Sequence, residues 1–281
     1  MRELLGFELR KLLRSRSFYI CGGIGILLSV LTVLLQFVLS RLPILSEVGM
    51  TETQSALTFA RQAISSGELV LMLGIFISIF ICSDYGEGTV RIVISRGYSR
   101  IKIILARWIT VCYATAAVAL SAILISFLVG LFTVGIGEDP LWSFFLSVAE
   151  QLLVLLAYAT IFVCLSTALR KLGAALSLNI VLPMVVPVLT NLIDSWLIAR
   201  VIDEEVLFSG ELPPVFTVTP YLPSGCLGSL STLSDTNIVS SLFLVESTDL
   251  TAIFVRCALV GAAYLVVSFV LTLLAARRQE V

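Results

Sequence analysis

The 281-residue chain is 58% apolar and 13% charged, and its 18 Lys and Arg nearly balance its 19 Asp and Glu. Its mean hydropathy of +1.06 excludes a soluble globular protein. The chain has no histidine, which also excludes catalytic triads that contain histidine and most zinc sites. These figures predict an integral membrane protein. The near-zero net charge says nothing about a nucleic-acid partner, and we expect none.

Residues 2–16 have the pattern of an amphipathic helix. Charged residues group on one face, whereas Leu4 and Phe7 fall off the apolar stripe. We expect this helix to lie in the membrane interface with its basic face toward lipid headgroups. An anchor that only sets topology is an equally good interpretation. The apolar stripe consists of Leu5, Leu9, Leu12 and Leu13.

Six apolar runs are each long enough for a helix that crosses a bilayer, which takes about 20 residues. The predicted fold is therefore all-α, with one transmembrane domain over residues 1–281. The loop at about 41–66 is polar and has no obvious site. The predicted spans are 17–40, 67–84, 102–134, 141–169, 172–199 and 252–276.

The basic residues are distributed unevenly between the loops, and cytoplasmic loops are those rich in Lys and Arg. Of the 18 basic residues, 14 fall at the two termini, between spans two and three or in the first turns of span three, or between spans four and five. The opposite loops are acidic, most clearly at 203–211. We therefore expect both termini in the cytoplasm.

The loop between spans two and three, residues 84–101, is the most structured loop in the sequence, DYGEGTVRIVISRGYSRI. Gly86 and Gly88 end the preceding span, because glycine disfavours helix continuation. Thr89 then caps the start of a short helix.

One face of this short helix is apolar, with Val90, Val93 and Ile94 on it. Gly97 provides a left-handed stop, and Ser99 caps the next span. A passive loop needs no helix of its own, so the pattern indicates a surface that a partner contacts.

Several polar or helix-breaking residues fall within the predicted spans. Pro183 and Pro187 lie one turn apart in span five, which should bend or break there. Asn179 lies one turn earlier, and its amide needs a partner in lipid. Span five is either an ordinary kinked helix or the wall of a substrate path, and Glu150 in span four has the same two interpretations. Asp194 is close enough to the outer surface to be solvated.

The segment at about 200–251 is acidic at first and then reads FTVTPYLPSGCLGSLSTL. This part has too few charges for a solvated loop and too many Pro, Gly and Ser for a seventh span. We expect short helices that dip into the outer leaflet, shielded by neighbouring spans or by a second copy of the chain. Cys226 and Cys257 both fall on the outer side, and the sequence leaves their pairing open.

Enzyme motifs are missing from the sequence. There is no G-x-x-x-x-G-K-[ST] nucleotide loop, no G-x-S-x-G elbow and no C-x-x-C pair. We therefore expect neither catalysis nor a metal site in this chain alone.

Three short motifs resemble those of six-span permease subunits of ABC exporters. The pattern E-G-T-x-R at 87–91, followed by the Ser/Arg turn at 96–100, resembles the family's first cytoplasmic loop. The run F-E-L-R-K-L at 7–12 is similar to its N-terminal interface helix. The run Y-L-P-S at 221–224 is similar to members involved in bacitracin or lantibiotic resistance.

The resemblance implies a half-transporter in the bacterial cytoplasmic membrane. Such a subunit pairs with a second copy or a homologous permease and binds two copies of a separate ATPase, which holds ATP and Mg. The ATPase-coupling residues would be Glu87, Gly88, Thr89, Arg91, Val93, Ile94 and Arg96, with Phe7, Glu8, Arg10 and Lys11 in the interface helix. The candidate path residues are Glu150, Asn179, Pro183 and Pro187, and the outer-gate residues are Tyr221, Leu222, Pro223 and Ser224.

The expected function is export of a hydrophobic or amphipathic molecule, such as a peptide antibiotic, a drug or a lipid, by alternating access. No span has the charge density of an ion path. The alternatives are an ion-exporting permease of the same architecture and a membrane scaffold or immunity protein that transports nothing. Apolar cargo sites use generic side chains, so the sequence does not identify the cargo.

Overall fold

The computed structural model describes residues 2–40, 55–86, 89–135, 140–200, 217–233 and 250–277. Within these ranges the regular structure is entirely helical, which confirms the all-α fold. A single 3-10 turn at Thr219–Tyr221 precedes α9. The helices are α1 (Arg2–Arg14), α2 (Arg16–Ser40), α3 (Ala56–Ser65), α4 (Gly67–Gly86), α5 (Thr89–Ser95), α6 (Arg100–Thr133), α7 (Leu141–Leu169), α8 (Leu172–Ala199), α9 (Pro223–Thr232) and α10 (Leu250–Arg277).

Six of these helices, α2, α4, α6, α7, α8 and α10, are long and apolar enough to cross a membrane, as predicted. Their ends agree with the predicted spans to within two residues. The short helices α1 and α5 lie at one end of the bundle, which we call the α1 side. Helices α3 and α9 pack among the spans toward the opposite side.

Helices α4 and α7 form the centre of the bundle, whereas α8 is mostly exposed. Small residues allow the spans to approach closely, as is common between membrane helices. A Cβ atom at Gly261 of α10 would lie 2.3 Å from Leu153 Cδ2 of α7, and one at Gly130 of α6 would lie 2.8 Å from the Ala56 Cα of α3.

The second half of the first outer loop, in which the sequence predicted no obvious site, forms a helix. Residues 56–65 form α3, which packs against α6, α9, α2 and α7. Ser55 caps it, because its hydroxyl accepts a hydrogen bond from the Thr58 amide while Thr58 Oγ1 accepts one from the Ser55 amide. Its buried residues include Phe59 and Ile64 and also Arg61. Residues 41–54 lie outside the described residues.

The two prolines do not break span five, since α8 runs as one helix through Pro183 and Pro187. Pro183 lacks the amide hydrogen that would bind the carbonyl of Asn179 four residues earlier. That carbonyl instead lies against Gly74 of α4, where a Cβ atom would be only 3.0 Å away. The proline and the glycine therefore allow close packing of α4 and α8.

The described part of the 200–251 segment is residues 217–233, and the ranges 201–216 and 234–249 lie outside the described residues. Helix α9 packs against α3, α7 and α10. Its core residues Cys226, Leu227 and Leu230 are at most 2% exposed. The segment is therefore an integral part of the bundle.

Candidate functional site

Helix α1 buries a face that overlaps only partly with the predicted leucine stripe, since Leu12 belongs to both. Leu4, Glu8 and Leu12 are at most 5% exposed, whereas Leu13 is 55% exposed. The buried positions are spaced four residues apart and therefore share one face. The pattern failed because this face includes a glutamate, whose charge is matched by residues far away in the sequence.

Four charged side chains meet where α1, α4 and α6 converge, and we call them the charge cluster. Asp84, at the end of α4, binds Lys11 of α1 through Oδ1. Its Oδ2 lies 2.7 Å from Arg107 Nη2 of α6. Arg107 Nε in turn lies 3.4 Å from Glu8 Oε1. The cluster thus joins three helices, and its two acids balance its two bases.

The charge cluster is mostly buried, since the side chains of Glu8, Asp84 and Arg107 are only 4–5% exposed. Lys11 is 28% exposed and opens the cluster to solvent. Burial raises the pKa of Glu8 above its ordinary value, while Arg107 and Lys11 act in the opposite direction. Glu8 Oε2 is buried without a hydrogen bond in the described structure.

Aromatic rings of α4 cover the two cations. Lys11 Nζ lies 4.7 Å from the ring centre of Phe80, and the Arg107 guanidinium lies 5.6 Å from that of Tyr85. Both distances fall within the range of cation–π attraction. The rings cover part of each cation and add to the attraction that the carboxylates provide.

The short helix α5 is fastened to the same place. The Thr89 hydroxyl donates a hydrogen bond of 3.1 Å to the Asp84 carbonyl, so α5 starts on the residue that binds both cations. Val93 and Ile94 pack on an apolar cluster formed by Leu4 of α1 with Ile103 and Ala106 of α6.

The turn after α5 confirms the predicted stop. Gly97 has φ +87°, a conformation that favours glycine, and its amide binds the Ile94 carbonyl. Ser99 occupies the capping position before α6 but makes no side-chain capping hydrogen bond. Tyr98 packs with the α5 residues, and its hydroxyl donates to Glu3 Oε2 of α1 at 3.4 Å. Helices α1, α5 and the start of α6 therefore form one packed unit.

The predicted coupling and interface residues fall in or around this unit. Arg96 is exposed beyond the end of α5, and Phe7 and Arg10 are exposed on α1. Glu87 and Gly88 lie outside the described residues, as does the side chain of Arg91.

Sequence reasoning identified Glu8 and Lys11 as surface residues of an interface helix but missed their partners. Asp84 is a carboxylate directly after an apolar span, and Arg107 is a cation inside the next one. Charges in these places are costly in lipid and call for an opposite charge nearby. That signal was available, although it does not say which charges pair.

On the opposite side, Asp194 is a structural anchor. The prediction that it is solvated is therefore wrong. Asp194 is 6% exposed, and its two carboxylate oxygens accept the amides of Val218 and Thr219 at 2.7 and 2.8 Å. The Thr219 hydroxyl also donates to Asn191 Oδ1 at 3.3 Å. These bonds fasten the segment 217–233 to the end of α8.

The predicted gate residues follow directly after this anchor. Tyr221 is 47% exposed, whereas Pro223 is buried at the start of α9. Leu222 and Ser224 are half-buried. Their role as a gate stays a prediction.

Among the predicted path residues, Asn179 has the partners that its amide needs. Its Nδ2 donates to Ser78 Oγ at 2.8 Å and to Ser166 Oγ at 3.1 Å, which joins α8 to α4 and α7. Glu150 is 9% exposed, and its Oε2 has no hydrogen bond within the described structure. Whether Glu150 and the prolines line a path stays a prediction.

Cys226 of α9 and Cys257 of α10 are fully buried neighbours, and no disulfide joins them. The Cys226 thiol lies 3.4 Å from the Pro220 carbonyl. Contact with Cys257 and burial raise the pKa of the Cys226 thiol. In the described ranges, no three His, Cys, Asp or Glu side chains come together as a metal site requires.

A family model described as "Protein of unknown function (DUF2705)" matches residues 23–203 of the chain. The match begins within the first span and ends after the fifth, so it includes α5, Asp84 and Arg107 but not α1. No curated protein matches the sequence.

Proposed function

The chain belongs to the DUF2705 family, whose function is unknown, and we propose that it is the permease subunit of an ATP-driven ABC exporter. It works in the bacterial cytoplasmic membrane with both termini in the cytoplasm. Two copies of a separate subunit bind Mg and ATP and hydrolyse it. The chain itself moves the cargo and catalyses no reaction.

The main support for this proposal is that α5 is hydrogen-bonded to Asp84, a member of the charge cluster that joins α1, α4 and α6. The surface of this loop that faces away from the bundle is polar and exposed at Ser95, Arg96 and Ser99. The side of the loop that faces the spans is fixed to α4 by the hydrogen bond between Thr89 and Asp84. A force on the exposed surface is therefore transmitted to the ends of α4 and α6.

A loop that only connects two spans needs no such arrangement. Buried ion pairs contribute little net stability, because the cost of desolvation offsets their attraction. They do hold the joined elements in one geometry, since a shift of any helix leaves a buried charge unpaired. This supports α5 as the coupling helix and α1 as the element that keeps it in register.

In this mechanism, ATP-driven closure of two ATPase subunits moves α5 and α1 together. The movement tilts α4 and α6, and α8 moves with α4 because Asn179 and Gly74 pack the two spans closely. The spans thereby alternate between inward- and outward-facing states. The charge cluster at one end of the bundle and the hydrogen bonds of Asp194 at the other hold the helices together during this change.

On the outer side, residues 217–233 act as a re-entrant gate held by Asp194. Tyr221 and Leu222 lie at the point where this segment turns back into the bundle. A second permease subunit completes the pathway, and the exposed apolar face of α8 is a suitable surface for it. The cargo is hydrophobic or amphipathic, for example a peptide antibiotic, a drug or a lipid.

The experiment is purification of the tagged chain from membranes of its native host. A nucleotide-binding subunit with a Walker lysine should co-purify in a stoichiometric complex. Arg96→Glu reverses an exposed charge at the end of α5 and should release this subunit, whereas Arg277→Glu, exposed at the end of α10, should not. Intact chain with no nucleotide-binding partner would favour a scaffold protein and contradict the proposal.

A further inference from the structure

A cavity of about 340 Å³ lies between α7, α8, α10 and the start of α9. Its deep wall consists of Tyr158 and Ser268, each 5% exposed. Its rim on α10 is formed by Val267 and Leu271, which are 58% and 50% exposed. The cavity therefore opens sideways, onto a surface of α10 that faces lipid when the span is in a bilayer.

The cavity wall offers nothing to a charged ligand. None of the described residues that line it is charged, and aliphatic side chains such as Leu182 and Val186 of α8 predominate. Its buried polar groups already have internal partners. The Ser268 hydroxyl donates to the Tyr264 carbonyl at 2.5 Å, and the Tyr158 hydroxyl lies close to the Ser224 side chain.

Size and access limit the occupant further. The volume lies at the lower end of the range of about 300–1,000 Å³ for small-molecule sites. It is therefore too small for a whole phospholipid, although it accommodates part of one flexible chain. The phase at its mouth is the hydrocarbon of the bilayer, and a polar solute would lose its hydration to enter from there.

We propose that this cavity binds one acyl chain of a membrane phospholipid, which enters from the bilayer between α8 and α10. The acyl chain contacts Pro223 and Ser224, so its binding affects the start of α9. The site is contained within one subunit and needs neither an ATPase nor cargo transport. It therefore stands whether or not the exporter proposal is correct.

The test uses the purified full-length chain in vesicles of phosphatidylglycerol and phosphatidylcholine. A small fraction of the phosphatidylglycerol has a photoactivatable diazirine near the end of one acyl chain. After irradiation, digestion and mass spectrometry, adducts should concentrate on peptides that contain Tyr158, Leu182 and Leu271. Equal labelling of all lipid-facing spans, or labelling that avoids these peptides, would overturn the proposal.

Neighbouring valines provide a matched pair of variants. Val267 lines the cavity, whereas Val266 does not, and their exposures of 58% and 57% are almost the same. Val267→Trp should lower adduct formation on the α7 peptide about tenfold, the factor expected when about two methylene groups lose their place in an apolar site. Val266→Trp should leave it unchanged.

A second pair protects the test against misfolding. Leu271→Trp fills the same cavity and should reproduce the loss, and Val270→Trp is its control on the same helix. All four variants are compared at equal monodispersity in size-exclusion chromatography. Equal adduct yields within both pairs would overturn the proposal, as would binding of a non-lipid molecule that competes with the probe at this site.

Discussion

Replacement of Arg107 by methionine tests the charge cluster most severely, because it removes one charge and keeps much of the side-chain length. Arg107 holds Asp84 at 2.7 Å and Glu8 at 3.4 Å, and both carboxylates are 4% exposed. In the variant they must share Lys11 as the only cation of the cluster. Breaking a buried ion pair in this way costs about 3–5 kcal/mol, and we expect the variant to lose stability in that range.

The expected loss also follows from the individual contacts. A hydrogen bond to a charged group contributes about 1.5–3 kcal/mol, and only the shorter of the two contacts has a distance typical of a strong charge-assisted bond. The remainder comes from the buried carboxylate that is left without a partner. Adding Glu8→Gln to Arg107→Met should therefore recover part of the stability, since it restores the balance between Lys11 and Asp84.

The pH dependence of Arg107→Met provides a second readout. Burial already holds the pKa of Glu8 above 4.5, and loss of Arg107 removes an attraction that opposes this rise. Above pH 4.5 the unfolded chain releases this proton first, so stability falls as the pH rises toward the folded pKa. The deficit of the variant should therefore be largest at neutral pH and shrink toward pH 4.5.

The assay is the free energy of unfolding in mixed micelles or bicelles, measured by steric trapping or denaturant titration. The control is Lys102→Met, which removes an exposed cation from the same helix and should cost little. Equal stability of Arg107→Met and Lys102→Met, or a deficit that grows toward acid pH, would refute this view of the cluster.

Two further predictions concern contacts elsewhere in the bundle. Gly74→Ala places a Cβ atom 3.0 Å from the Asn179 carbonyl and should destabilise the protein by about 1–3 kcal/mol. In Gly23→Ala, the new Cβ atom meets nothing within 4 Å, and the protein should keep its stability. The unfolding assay described for Arg107→Met compares the two variants. Asp194→Asn replaces one of two accepting oxygens with a donor and should free the segment 217–233, so that a maleimide labels Cys226 as a single cysteine faster than in the wild type. A labelling rate that stays at the wild-type value would contradict this function of Asp194.

The spans could be predicted from the sequence because a bilayer imposes a length on each one, and an apolar run of that length is visible in one dimension. The turn at Gly97 could be predicted for a similar reason, since a left-handed helix stop is a local requirement. The helix α3 was missed because a ten-residue amphipathic helix does not stand out in a segment judged only by its polarity.

The charge cluster could not be assembled from the sequence because its pairs are long-range. Lys11 and Asp84 are 73 residues apart, and Glu8 and Arg107 are 99 apart. Each of these residues alone is typical of a membrane boundary. Only the packing of α1 against α4 and α6 shows that Glu8 is buried, and this contact also explains why the buried face overlaps only partly with the leucine stripe.

The position of Asp194 could not be predicted for the same kind of reason. A carboxylate near the end of a span is usually solvated, and its burial here depends on the backbone of residues 218 and 219 folding over it. The sequence predicted that the Asn179 amide needs polar partners. It did not show which residues these are, because the two serines that bind it lie on two other spans.

We propose that α5 is the surface through which an ATPase subunit moves this chain, and photo-cross-linking in native membranes tests this proposal most directly. Benzoylphenylalanine is placed at position 96, beyond the end of α5, and, as a control, at position 277, at the end of α10. We expect an ATP-sensitive adduct between position 96 and a subunit that contains a Walker lysine, and no such adduct from position 277. Adducts of position 96 with lipid alone would contradict a coupling function of α5.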